Sequence, residues 1–410
     1  MKSLYSFIVM LFLIPAVFSQ TVNYYYDRGI QKLNSHQYQA AIKDFEYVVE
    51  KDPYYYEAFY GLCRAHLAMG KKRQAIEDLT NAIKANKDYY EAYLKRAEIN
   101  LSLNNEKEAI KDFEEIIRLN PEYIRAYEEK GKLHFNQEDY KKALKSFSIA
   151  IELKTKSADI YYYRGFIFYQ DEDFTSARKD LDTAIKLNPN HREALFYRGN
   201  TYYKEKQYAK AEADYNKAVK LKIDRQDIYT FRAECRFQLK KYKEALIDYN
   251  KLIDNFHERE LDLYLKRGIC LKETGAYREA VRDLNRVIAQ DRENFTAYYS
   301  RGEAYSLQDR RSSISQAIRD FTTAIELNSK SSEAYFARGK FYLKDRKLEE
   351  ALDDFNKAVK YDDNNADYYF YRGAVYKELK KTNEACTDLK KAADLGHKKA
   401  KTAYNRICLY

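Results

Sequence analysis

One spacing governs what this chain can fold into. A Tyr-x-x-Arg-Gly motif recurs along it, and its small residue falls at Gly29, Cys63, Ala97, Gly131, Gly165, Gly199, Ala233, Gly268, Gly302, Gly339 and Gly373. The steps are 34 residues six times, then 35, 34, 37 and 34. With that residue numbered position 8, the first unit begins at Val22 and the eleventh at Ala366. A unit this short cannot bury a hydrophobic face by itself, so successive units must stack on one another.

Further positions repeat in step. Position 20 is Ala in every unit, from Ala41 to Ala385, and position 24 is Phe, Leu or Tyr, as in Phe45, Phe147 and Tyr249. Position 4 is Tyr except at Phe59 and Leu195. Residues 4, 8 and 11 share one helical face, as do 20, 24 and 27. The pattern therefore predicts two antiparallel helices per unit. Small residues at 8 and 20 let the helices approach, and large ones at 4 and 24 fill the space beside them. Pro53, Pro121 and Pro189, all at position 32, stop the second helix. Gly70 and Gly275, at position 15, mark the turn between the two helices.

Composition agrees. Of 410 residues, 45% are apolar and 33% charged, enough for a core and not the signature of disorder. Twelve glycines and four prolines are too few for the turns of a β-sandwich or barrel. Forty-two tyrosines and 21 phenylalanines, without tryptophan, imply broad amphipathic surfaces.

In this arrangement the chain resembles the tetratricopeptide-repeat (TPR) family, over residues 22–396 and in eleven units of about 34 residues. The resemblance implies an all-α fold: a right-handed α-solenoid superhelix of helix-turn-helix units, with residues 397–410 as a C-terminal capping helix. Two departures from the family pattern stand out. Position 7 is Arg in nine units, and position 23 is Asp in ten, the exception being Ser146, whose unit carries Lys130 instead of Arg. An Arg–Asp ladder across the packed helices follows, holding neighbours in register. Three extra residues near Arg310–Gln316 read as an insertion in a loop between helices. Position 11 is polar in the first four units (Lys32, His66, Asn100, His134), which predicts looser packing there.

The first 19 residues read as a signal peptide. Lys2 precedes a mostly apolar stretch from Leu4 to Phe18, and Val17 and Ser19 suit cleavage before Gln20. The stretch falls short of the roughly 20 residues a membrane span needs, and no later stretch qualifies. An uncleaved anchor is the alternative. The expected location is exported, periplasmic or secreted. The net charge of +10 is interspersed, so export and patterning together argue against a nucleic-acid partner.

No catalytic or cofactor motif emerges. The six histidines form no HExxH or other ligand spacing, so neither metal nor cofactor is expected, and no enzyme. The five cysteines read first as small buried hydrophobes, and only Cys386 and Cys408 could meet as a disulfide.

Function is then left to the groove. The resemblance implies that first-helix positions 2, 5, 9, 12 and 13 face it. Position 2 is acidic in eight units, among them Asp159, Glu193 and Asp367; the helix dipole accounts for this as well as a ligand would. Aromatic residues concentrate at positions 5, 9 and 12 in mid-chain. Tyr162, Phe166, Tyr169, Phe196, Asn200, Tyr203 and Phe237 are the candidate partner-binding residues, with an aliphatic patch at Ile30, Leu33 and Leu67. The family's clamp for C-terminal carboxylates is missing: Asn200 alone fits, and Phe196 stands where a Lys is wanted. The expectation is a non-enzymatic interaction scaffold of the cell envelope, holding a protein or peptide segment. A self-associating assembly factor and a glycan-binding module are the alternatives.

Overall fold

The computed structural model describes residues 20–308 and 311–408 of the chain, with side chains 311 and 312 excluded. The signal segment lies outside the described residues. The chain divides into two compact bodies, Met1–Arg198 and Gly199–Tyr410.

The described part of the first body holds α1 (20–34), α2 (Tyr38–Lys51), α3 (Tyr56–Ala68), α4 (Lys72–Ala85), α5 (Tyr90–Ser102), α6 (Glu106–Leu119), α7 (Ile124–Asn136), α8 (Tyr140–Glu152), α9 (Ala158–Gln170), α10 (Phe174–Leu187) and the start of α11 (Arg192–Lys204). The second body holds the rest of α11, then α12 (Tyr208–Lys220), α13 (Gln226–Gln238), α14 (Tyr242–Asp254), α15 (Leu261–Glu273), α16 (Tyr277–Gln290), α17 (Phe295–Ser306) and α18 (Arg311–Leu327). It continues with α19 (Ser332–Lys344), α20 (Leu348–Tyr361), α21 (Ala366–Glu378), α22 (Thr382–Asp394) and α23 (Lys398–Cys408). The described residues form no strand, and the fold is an all-helical α-solenoid.

Each hairpin closes as the repeat requires. Ala41, Phe45 and Val48 of α2 are buried at helical spacing. A Cβ on Gly131 would come within 2.5 Å of Phe147 Cε1, so the ring of position 24 occupies the space that a side chain at position 8 would need. Position 15 is left-handed throughout much of the chain. Gly70 (φ +76°) and Gly275 (φ +89°) adopt it without strain, but His36, Asn104, Glu138, Glu172, Lys206, Lys240, Arg346 and Lys380 adopt it too, with φ between 56° and 61°. The turn between repeats is built one residue before the prolines. Asp52, Asn86, Asn120, Asn188, Asp291, Asn328 and Asp362, all at position 31, accept a hydrogen bond from the backbone N–H two residues on.

The Arg–Asp ladder is present and has more rungs than the sequence reading gave it. Position 7 meets position 23 inside one hairpin: Arg96 Nη2 lies 2.6 Å from Asp112, Arg232 Nη2 2.6 Å from Asp248, Arg338 Nη2 2.8 Å from Asp354. The remaining guanidinium nitrogen donates to position 25 of the preceding hairpin: Arg96 to Thr80, Arg164 to Ser148, Arg232 to Asn216, Arg301 to Asn285, Arg372 to Asn356. One planar side chain thus ties three helices. Lys130, in the exceptional unit, still reaches Glu114 at position 25.

Of the polar residues at position 11, Lys32 pairs with Asp44, and the buried His66 Nδ1 lies 2.6 Å from Asp78. The three extra residues do not sit in a loop: helix α18 begins at Arg311 and has 17 residues, so the insertion is absorbed as additional helix. Cys386 and Cys408 form a disulfide, Cα–Cα 5.7 Å, pinning α23 to α22, while Cys63, Cys235 and Cys270 are buried free thiols.

Candidate functional site

In the first body, aromatic side chains of α7, α9 and the start of α11 form one patch. Phe166 lies 5.3 Å from Phe135 and 4.8 Å from Tyr197 between ring centroids; Tyr162 lies 6.0 Å and Tyr169 5.6 Å from the same Tyr197. These rings are half-buried and meet edge-on or tilted, so they leave partial faces open. Burial raises the Tyr169 and Tyr163 hydroxyls above the usual tyrosine range, which keeps them neutral hydrogen-bonding groups. The patch joins three of the expected residues, Tyr162, Phe166 and Tyr169. It adds Phe135, Tyr163 and Tyr197. Tyr163 and Tyr197 sit at position 6, which the register of positions 5, 9 and 12 passed over; their signal was the Tyr-Tyr and Phe-Tyr doublets.

Two expected residues are not groove residues. Phe196 is 1% exposed and belongs to the core. Asn200 is 4% exposed, and its Oδ1 accepts from the Tyr215 hydroxyl at 2.8 Å. Position 24 is Tyr in that repeat, and its hydroxyl needs a buried partner; Asn200 supplies it. In the second body Tyr203 packs on Phe231 at 5.1 Å and Tyr208 at 6.0 Å, and Phe237 on Tyr242 at 6.0 Å. Leu33 of the aliphatic patch is buried in the core under α1 and α2.

The acids at position 2 have a structural use at two places. His191 heads α11 with Nδ1 accepting from the Ala194 N–H, and its Nε2 lies 3.2 Å from Asp159. His397 does the same ahead of α23, toward Ala400 and Asp367. Since Nδ1 accepts, the neutral ring carries its proton on Nε2, facing the carboxylate.

The second body also contains two cavities that the sequence reading did not anticipate. One, of about 500 Å³, is lined by Tyr299, Glu303, Phe336, Lys340, Asn365 and Tyr368. The other, of about 450 Å³, opens between α19, α21 and α23. Both walls mix apolar side chains with charged and polar ones.

Burial pushes the thiols of Cys63, Cys235 and Cys270 up to about 12, the opposite of an activated nucleophile. Among the described residues no group of three or more His, Cys, Asp or Glu is placed to hold a metal ion.

Helical hairpins in tandem, with aromatic residues on their first helices, define a helical-repeat protein. Family comparisons specify which repeat. Profiles of the tetratricopeptide repeat match residues 321–353 and 347–380. That of the ETO1 C-terminal domain matches residues 44–206, and that of anaphase-promoting complex (cyclosome) subunit 3 matches residues 181–252. The chain carries tetratricopeptide repeats. Among solved structures it is similar to YrrB, described as a TPR protein with an unusual peptide-binding site (22% identity, 48% of this chain and 99% of that one, TM-score 0.42). It is also similar to Naa15/Naa10 bound to HypK-THB (17%, 94% and 67%, TM-score 0.44) and to yeast Tom70 (16%, 95% and 96%, TM-score 0.39). No curated protein matches the chain.

Proposed function

We propose that this protein is an exported, non-enzymatic scaffold that holds a segment of a partner protein against the first helices of its repeats. The half-buried patch of Tyr162, Phe166, Tyr169 and Tyr197 carries this reading. Core positions 8, 20 and 24 are already filled by other residues, so packing alone does not call for these rings. Amphipathic aromatic rings gain most from burial against a partner while their hydroxyls find polar mates. The signal-like start and the Cys386–Cys408 disulfide both favour an oxidising compartment, and hence the cell envelope. Among the described residues no helix is long and apolar enough to cross a membrane.

The test is crosslinking and co-purification from the cell envelope, comparing the native chain with Tyr162→Ala/Tyr169→Ala/Tyr197→Ala at equal helicity. A partner captured by the first and lost by the second supports the reading. The same partner captured equally by both places the interface elsewhere.

A further inference from the structure

The cavity beneath α23 differs from the rest of the molecule in its charge. Its walls are apolar, from Leu343, Leu348, Phe370, Leu389 and Ile407. Four cations line it as well: Lys344 at the end of α19, Arg346 just after it, Lys377 on α21 and Arg406 on α23, against the single carboxylate of Glu378. Among the described residues none of these four cations has a carboxylate within 4.0 Å.

Two less exposed cations of the same body are neutralised. Lys272 occupies position 12, as Lys377 does, and lies 2.6 Å from Glu303 of the next repeat and 2.8 Å from Glu273. Lys266 similarly pairs with Glu234 and Asp262. Where α23 follows instead of a repeat, it brings Ala403, Arg406 and Ile407 to the cavity wall, a cation and no acid. Like charges facing one cavity repel, and the repulsion is relieved by a bound anion.

We infer that this cavity binds a single-chain carboxylate: an anionic head held by Lys377, Arg406 and their neighbours, with an acyl chain against Phe370, Leu389 and Ile407. Its volume of about 450 Å³ lies within the range of small-ligand sites, roughly 300–1,000 Å³. Four cations and one carboxylate around a cavity of this size suit one compact charge better than a segment with acids spread along it. The disulfide between Cys386 and Cys408 holds the α23 wall in place, with Cys408 next to the lining residue Ile407. This site is separate from the aromatic patch, and neither reading depends on the other.

The probe is dodecanoate, titrated calorimetrically into the full-length oxidised protein below its micelle concentration. Decyl alcohol, acetate and an acidic decapeptide serve as comparisons. Dodecanoate is expected to bind, and Lys377→Glu/Arg406→Glu to weaken it at least about tenfold, since both side chains are exposed and the fold does not need them. A second variant, Ala403→Trp, fills the cavity and supplies a tryptophan to a chain that has none, so its emission reports folding while binding is lost. Tyr162→Ala leaves dodecanoate binding unchanged. The inference is overturned by equal binding of decyl alcohol, by unchanged affinity in the double reversal, or by an acidic peptide that occupies the site while dodecanoate does not.

Discussion

Replacing Asp248 with Asn tests how the repeat is held in register. Asp248 is 0% exposed and accepts from Arg232 Nε at 3.0 Å, Arg232 Nη2 at 2.6 Å and Arg236 Nη1 at 2.7 Å. Arg236 also donates to Glu212, to the Glu244 carbonyl and to Asn216, and Arg232 to Asn216. Removing the Asp248 charge leaves two buried guanidinium groups with Glu212 as the nearby carboxylate. Breaking a buried pair from one side costs about 3–5 kcal/mol, because the stranded charge stays desolvated. Asn fills nearly the same volume, so no cavity term is added. Asp44→Asn is the matched control. Its partners Arg28 and Lys32 have side chains 35% and 26% exposed. Water can rehydrate both, so the loss there should be well below that at Asp248. The assay is urea unfolding followed by helical circular dichroism, with hydrogen exchange resolving α13 and α14. Urea is chosen because guanidinium would screen the charges. Repeat arrays open locally, so the Asp248 loss should appear as an opening constant raised about two to four powers of ten in α12–α14. A loss below about 1 kcal/mol, or equal losses at the two sites, would refute the reasoning.

Four further outcomes are expected. Gly131→Ala should destabilise by about 1–3 kcal/mol in thermal melts, since its Cβ would sit 2.5 Å from Phe147, and Gly165→Ala should cost less, its nearest contact being Leu181 Cγ at 3.0 Å. Reducing the disulfide, whose cysteines are 22 residues apart, should remove about 3 kcal/mol and expose only α22–α23 amides to faster exchange. In native buffer a thiol reagent should modify none of Cys63, Cys235 and Cys270, and in denaturant all three, because burial holds each thiol at about 12. Burial lowers the His134 pKa below 6.5, so the unfolded chain takes up that proton first and stability should fall as pH drops below about 6.5; His134→Gln should flatten that part of the profile measured by urea midpoints.

What the sequence by itself determined is the part that repeats. Position 8 beside position 24, the small residue at 20 and the Arg–Asp pairing of 7 with 23 each recur in most units, so a contact shows itself as a period. Even the unread rungs were there in principle, since position 25 offers Thr, Ser, Asn or Asp to most of the arginines that follow. Tertiary structure decided what occurs once. Phe196 and Asn200 share the register of groove residues, yet the first is core and the second serves the hydroxyl of Tyr215, because burial depends on neighbours that periodicity does not name. The extra turn of α18, the bridge from Cys386 to Cys408 and the cationic cavity under α23 arise where the period breaks. A repeat fixes each helix relative to its copies. Where a helix has no copy, only the distances between side chains in the folded chain determine which charge goes unpaired and which ring keeps an open face.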